Sequence, residues 1–155
     1  MAEALFYHLT AFPLERALPD LLERTLARGW RAVVRCGSAE RLEALDRHLW
    51  TYRDESFLPH GGAEAGAAAR QPIYLTTGDE VPNEADALFL VDGADADAAT
   101  FAAFERVVIL FAGDDEAAVA LARTQWKRAT DSVKATYWQQ DGTRWTKARE
   151  SVPKT

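Results

Sequence analysis

The sequence predicts an α/β three-layer sandwich around a mostly parallel sheet. Three observations carry that expectation. Ala87 to Val91 (ALFLV) and Arg106 to Phe111 (RVVILF) are continuous apolar runs, as in strands buried on both faces of a parallel sheet. Between such runs lie stretches with apolar residues at helical spacing, and regular alternation of strand and helix points to helices covering both faces of the sheet. At 155 residues the chain has the length of one domain with a real core. We take residues 1–148 as that domain and 149–155 as a flexible tail.

In order along the chain, Leu5 to Leu9 is a short β-rich run. Leu14 to Arg28 places Leu14, Ala17, Leu18, Leu21, Leu22 and Leu26 near helical spacing. Pro19 is expected in the first turn of that helix, with the start near Leu18, and Gly29 as its stop. Trp30 to Cys36 reads as a strand, and Ala39 to Trp50 as a helix capped by Ser38. Ser56 to Leu58 is a short strand, Gly61 to Arg70 a Gly/Ala-rich loop and Pro72 to Thr76 a further strand. Asp95 to Phe104 forms a short helix between the two apolar runs. Asp114-Asp115 opens the last helix, which runs to about Thr130, and Ala135 to Gln140 closes the sheet.

Net charge is −6, but it is split along the chain. From Leu121 onward eight Lys/Arg stand against three acids, whereas the first 120 residues hold ten bases and twenty-one acids. Three of the five tryptophans (Trp126, Trp138, Trp145) lie in the basic end. An acidic body with a basic, aromatic-rich end suggests a site for something anionic, weighed against a solvated cationic helix face. The single cysteine, Cys36, excludes an internal disulfide framework and fits a reducing compartment. No apolar run approaches the ~20 residues that span a bilayer, and MAEALFYHLT lacks a signal-peptide pattern. We expect a cytoplasmic protein with no membrane association.

Chemistry-bearing motifs are sparse. Neither G-x-G-x-x-G nor G-x-x-x-x-G-K-[ST] occurs, so the chain lacks a phosphate loop. Cys36-Gly37-Ser38 sits at a strand-to-helix turn where a phosphate can bind, but one glycine reads more simply as an ordinary turn. His8, His48 and His60 are scattered and show no zinc spacing with Cys36, so no metal is expected. Asp79-Glu80 and Asp114-Asp115 fall where helix caps and loops explain them. Cys36 ends an apolar strand and reads as a buried thiol rather than a nucleophile. We expect no catalytic residue and no cofactor.

The last helix resolves by angle, at about 100° per residue. Ala118, Leu121, Ala122, Gln125 and Ala129 form its core face. Val119, Arg123, Trp126, Lys127 and Thr130 cluster about a third of a turn away, and Arg128 falls on the opposite flank. An indole beside cations suits an apolar anchor flanked by carboxylates. The competing reading is that Trp126 packs at the helix margin.

Several segments together resemble one family. They are Leu49-Trp50, Glu55-Ser56-Phe57-Leu58-Pro59-His60-Gly61, Phe104 to Phe111, Ala122-Arg123-x-x-Trp126-Lys127, and Thr136-Tyr137-Trp138-Gln139-Gln140-Asp141 with Trp145. In order and spacing, from Ala4 to Ala148, they are similar to the chi subunit of bacterial DNA polymerase III holoenzyme. The resemblance implies a fold like that of nucleotide-binding domains without their phosphate loop, and a non-catalytic accessory role. It implies pairing with the psi subunit on the clamp-loader complex, and binding to the acidic carboxy-terminal tail of single-stranded-DNA-binding protein, so that DNA is met only indirectly. It allows a DNA-repair helicase as a further partner. The family's peptide-binding positions match Arg123, Trp126 and Lys127 on the last helix, with Trp50 and Phe57 as an apolar wall. Two further positions, basic in the family, are Val119 and Thr130 here, which puts the strength of the charged pocket in question; Lys134 is a candidate to compensate, and the helix angle argues against Arg128. The alternatives are a small nucleotide- or phosphate-using α/β enzyme, and a direct single-stranded nucleic-acid binder. The −6 charge argues against the latter, because phosphate binding needs a broad positive surface.

Overall fold

The computed structural model describes residues 2–10, 13–51, 60–61, 71–141 and 144–152. In chain order these form β1 (Glu3–Leu9), α1 (Leu14–Ala27), β2 (Ala32–Cys36), α2 (Ala39–Thr51), β3 (His60–Gly61), β4 (Ile73–Thr76), β5 (Ala87–Val91), α3 (Ala98–Ala103), β6 (Arg106–Ala112), α4 (Glu116–Thr130), β7 (Lys134–Asp141) and β8 (Arg144–Ser151). The strands make one sheet in the order β3-β4-β2-β5-β6-β1-β7-β8. Every pairing is parallel except the last, where β8 runs antiparallel to β7. The expected mostly parallel α/β sandwich is the architecture observed.

The continuous apolar runs are apolar because both faces of the sheet are covered. Along β5, Ala87, Phe89 and Val91 point into a core formed with α1 and α2, including Leu18, Leu22, Leu45 and Leu49. The alternate residues Leu88 and Leu90 point into the opposite core, with Phe101 of α3 and Ala122 and Ala129 of α4. β1 splits the same way, with Tyr7 and Leu9 on the first face and Ala4 and Phe6 on the second.

Two elements differ from expectation. α1 starts at Leu14, with Pro13 at its cap, so Pro19 lies in the helix interior rather than in the first turn. Proline has no N–H to give the carbonyl four residues back, here that of Glu15. The α2 side chain His48 takes that place, its Nε2 lying 2.5 Å from the Glu15 carbonyl oxygen. Arg41 of α2 also pairs with the Glu15 carboxylate at 2.5 Å. The helix break is thus filled from the neighbouring helix, and α1 and α2 are clamped side by side.

The second difference is at the end of the chain. Arg149 to Ser151, expected to begin a tail, complete β8 and pair with Ala135 to Tyr137. A register irregularity falls between Tyr137 and Trp138. The expected strand at Ser56 to Leu58 and the loop after Gly61 lie outside the described residues, and His60–Gly61 forms a two-residue strand at the far edge.

Candidate peptide-binding flank of the last helix

α4 begins where its sequence says it should. Asp115 is the cap, and its carboxylate accepts from the backbone N–H groups of Ala117 and Ala118. Ala122, Gln125 and Ala129 are buried against the sheet, as the angular reading predicts. Leu121, assigned to that core face, is only half-buried and lines a crevice described below. Arg123 and Lys127 are exposed and Trp126 is half-buried; Arg123 lies near Tyr137 of β7, while Lys127, about 160° round the helix from Ala129, faces outward.

Trp126 is less outward than its helical angle suggests. It sits three residues from Ala129, which is about 60° round the helix, and its ring is long enough to reach back to the sheet. It meets Phe6 edge-on at 5.2 Å between ring centroids and Tyr137 at 6.0 Å. One side of the indole therefore packs on core residues, and the residue as a whole stays half-exposed. Burial pushes the Tyr137 hydroxyl above the ordinary tyrosine range, and nearby Arg123 opposes that shift. Tyr137 is also held by His8, whose Nδ1 lies 2.5 Å from its hydroxyl.

The five expected site residues do not all come together in the described structure. Arg123, Trp126 and Lys127 share one flank of α4. Trp50 belongs to the end of α2, in the helical layer on the other face of the sheet. Its side chain, and Phe57 as a whole, lie outside the described residues.

Neighbouring cations divide by partner. Arg128 is on the opposite flank and binds the Asp95 carboxylate at 2.7 Å and the Ala96 carbonyl. Lys134 and Lys147 both reach Glu150, at 2.9 and 3.2 Å. Among the described residues no carboxylate pairs with Arg123, Lys127 or Arg149. Arg149 is not visible as a site residue in the sequence, where its segment reads as a tail. It lies on β8 across from Tyr137, with its guanidinium carbon 5.9 Å from the Trp126 ring centroid.

Open α/β sheets usually take ligands in the crevice beyond the carboxyl ends of the strands. Here that crevice has a volume of about 660 Å³ and is bordered by Leu9, Leu110 and Leu121, with Glu15, Arg41, Asp92, Asp114 and Asp115 contributing charge. Among its described lining residues the one cation, Arg41, is already paired with Glu15 and Asp92. Such a rim repels phosphate. The Cys36-Gly37-Ser38 turn is likewise filled from within. A Cβ on Gly37 would lie 1.8 Å from the Asp92 carbonyl oxygen. Ser38 Oγ donates to the Asp92 carboxylate and accepts from the Arg41 N–H, capping α2. Cys36 is buried, and burial pushes its thiol up to about 12.

Comparison with known proteins supplies the family. Residues 1–135 match the family described as DNA polymerase III chi subunit, HolC. The chain is 30% identical over 95 residues to the "Probable DNA polymerase III subunit chi" of Rickettsia prowazekii (strain Madrid E), covering 61% of this chain and 58% of that one. It is 34% identical over 68 residues to the "DNA polymerase III subunit chi" of Pseudomonas aeruginosa, covering 44% of this chain and 46% of that one. The matched stretches thus span about half the length of these relatives. No helix among the described residues is long and apolar enough to cross a membrane. On the match across 1–135 and the α/β architecture that accompanies it, the chain belongs to the chi-subunit family of DNA polymerase III.

Proposed function

We propose that this protein is a non-catalytic accessory subunit of the replicative polymerase's clamp-loader complex. In this reading it holds the acidic carboxy-terminal tail of single-stranded-DNA-binding protein on the α4 flank and joins the complex through psi, with a repair helicase as an alternative partner. The observation that carries the tail-binding role is the pair Arg123 and Lys127, exposed, without carboxylate partners among the described residues, and set around a half-buried indole. They are one i,i+4 step apart, so one anionic group can meet both. A tail carrying several acids and a terminal apolar residue complements that arrangement. The acidic crevice argues against a nucleotide-using enzyme. Trp138 and Trp145 pack on Tyr7, at 6.4 and 5.0 Å between centroids. That employs them in the fold and weakens the case for bases stacking on them.

The test is fluorescence anisotropy with a labelled peptide bearing three aspartates and a terminal apolar residue. Arg123→Ala is expected to cost about 1–2 kcal/mol, or ~5–30-fold in affinity, as a charge-assisted contact reduced by rim exposure. Trp126→Ala should cost at least as much affinity. It should also lower the melting temperature, because its ring packs on buried Phe6. Unchanged affinity in both variants would move the site off α4.

A further inference from the structure

The basic end of this chain carries more cations than the tail-binding reading uses, and the structure shows how they are distributed. Arg128 is engaged by Asp95, and Lys134 and Lys147 by Glu150. Glu150 pairs across from Thr136, two residues from Trp138, and so lies on the face that carries Trp138. Arg149 goes the other way. It pairs across from Tyr137, so the two side chains share the face on which α4 lies. α4 covers β6, β1 and the near side of β7. α4 meets β8 through Trp126 and Arg149 rather than by broad packing.

The result is a trough. One wall is the α4 flank with Arg123, with exposed Lys127 one turn on at its outer rim. The other is β8 with Arg149. Trp126 and Tyr137 form the floor, 6.0 Å apart, with the Arg149 guanidinium over the indole. A planar guanidinium held on an aromatic face keeps its donors in a fixed plane while remaining hydrated at its edge. Arg149 is exposed, and no described carboxylate pairs with it. It also lies beyond residues 1–135, the part that matches the family.

We propose that Arg149 forms the second wall of the peptide site and binds a carboxylate of the acidic tail opposite Arg123 and Lys127. The peptide would then lie in the trough between helix and hairpin rather than on the helix alone. This inference rests on the tail-binding reading above. It goes further in assigning β8 to the site and in requiring at least two separated acids in the ligand, one for each wall.

The experiment uses the full chain and two labelled peptides. One bears three aspartates and a terminal apolar residue, and in the other the aspartates are asparagines. Arg149→Ala should weaken the acidic peptide about 3- to 10-fold, the range for a partly screened charge contact. Arg149→Lys should fall between wild type and Arg149→Ala, because charge remains but the planar fork is lost. The asparagine peptide should bind weakly and equally to wild type and Arg149→Ala. Melting temperatures should match, since Arg149 is exposed. If Arg123→Ala weakens binding but Arg149→Ala does not, the second wall is wrong and the helix site stands. If Arg149→Ala weakens both peptides by the same factor, Arg149 acts by supporting Trp126, and the carboxylate contact is overturned. If wild type fails to bind the acidic peptide, both this inference and the reading beneath it fall.

Discussion

The proline inside α1 gives a prediction that can be worked from the structure. Pro19 deprives the Glu15 carbonyl of its helical partner, and His48 Nε2 occupies that place at 2.5 Å. His48→Ala should leave a part-buried carbonyl unpaired, at a cost of about 1–3 kcal/mol. For a chain of this size that is roughly 2–4 °C of melting temperature for each kcal/mol. Loss of other His48 contacts would contribute to the same number, so the single variant does not isolate the carbonyl. Pro19→Ala does, because alanine restores the N–H that the helix lacks. In the Pro19→Ala background, the cost of His48→Ala should shrink by about 1 kcal/mol, a coupling typical of groups that share a partner. The assay is urea unfolding followed by tryptophan fluorescence for the four members of the cycle. Arg41→Ala serves as a control. It removes the ion pairs to the Glu15 and Asp92 carboxylates, whose partners are about a third exposed, and should cost about 0–1 kcal/mol for each. Equal costs of His48→Ala in both backgrounds would refute the account of His48 as a stand-in for the missing donor.

Two other outcomes follow from the site and its surroundings. Burial would by itself raise the Asp95 carboxyl, but hydrogen bonds from Gln125, the Ala96 N–H and Arg128 outweigh it and hold Asp95 below the usual carboxylate range. A carboxyl depressed in the folded state stabilises above its unfolded value, near 4, and that contribution is lost as pH falls through the folded value; Asp95→Asn should therefore be less stable at neutral pH and show a shallower loss in acid, read from melting curves between pH 7 and 2. Calorimetric titration with ATP should give no micromolar complex, since the crevice sets four carboxylates against one arginine that is already paired, and Gly37 is approached by the Asp92 carbonyl; a specific complex would revive the enzyme alternative.

Most of the fold was legible because burial on two faces leaves a plain mark. ALFLV and RVVILF read as buried strands and are β5 and β6 to within a residue. Asp115 and Ser38 were legible as caps because a short polar side chain before a periodic run has few other uses. Pro19 misled because proline usually marks a boundary, whereas here another helix supplies the missing donor. That depends on His48, 29 positions later, which no local pattern can reveal. β8 was missed for a different reason. Its alternating residues are mostly exposed, so hydrophobicity gave no signal. The available clue was Asp141-Gly142 between TYWQQ and TRWTK, a common hairpin pair. On α4 the angle separated Arg128 from Arg123 correctly, but angle alone could not show how far the Trp126 ring reaches. The sharing of a face by Arg149 and Trp126 is a tertiary fact that emerges only once β8 is paired.

The position of β1 bears on the order in which this chain can fold. β1 lies between β6 and β7, paired with residues 106–112 and 134–139. It must therefore wait for residues 106–112 before its first neighbour exists, and for residues 134–139 before its second. Until then Phe6 and Tyr7 have no sheet to enter, and the partial sheet β4-β2-β5 exposes the edge that β6 will occupy. Contacts this distant in sequence close slowly. Insertion of β1 between β6 and β7 is thus expected to be a late and cooperative step of folding.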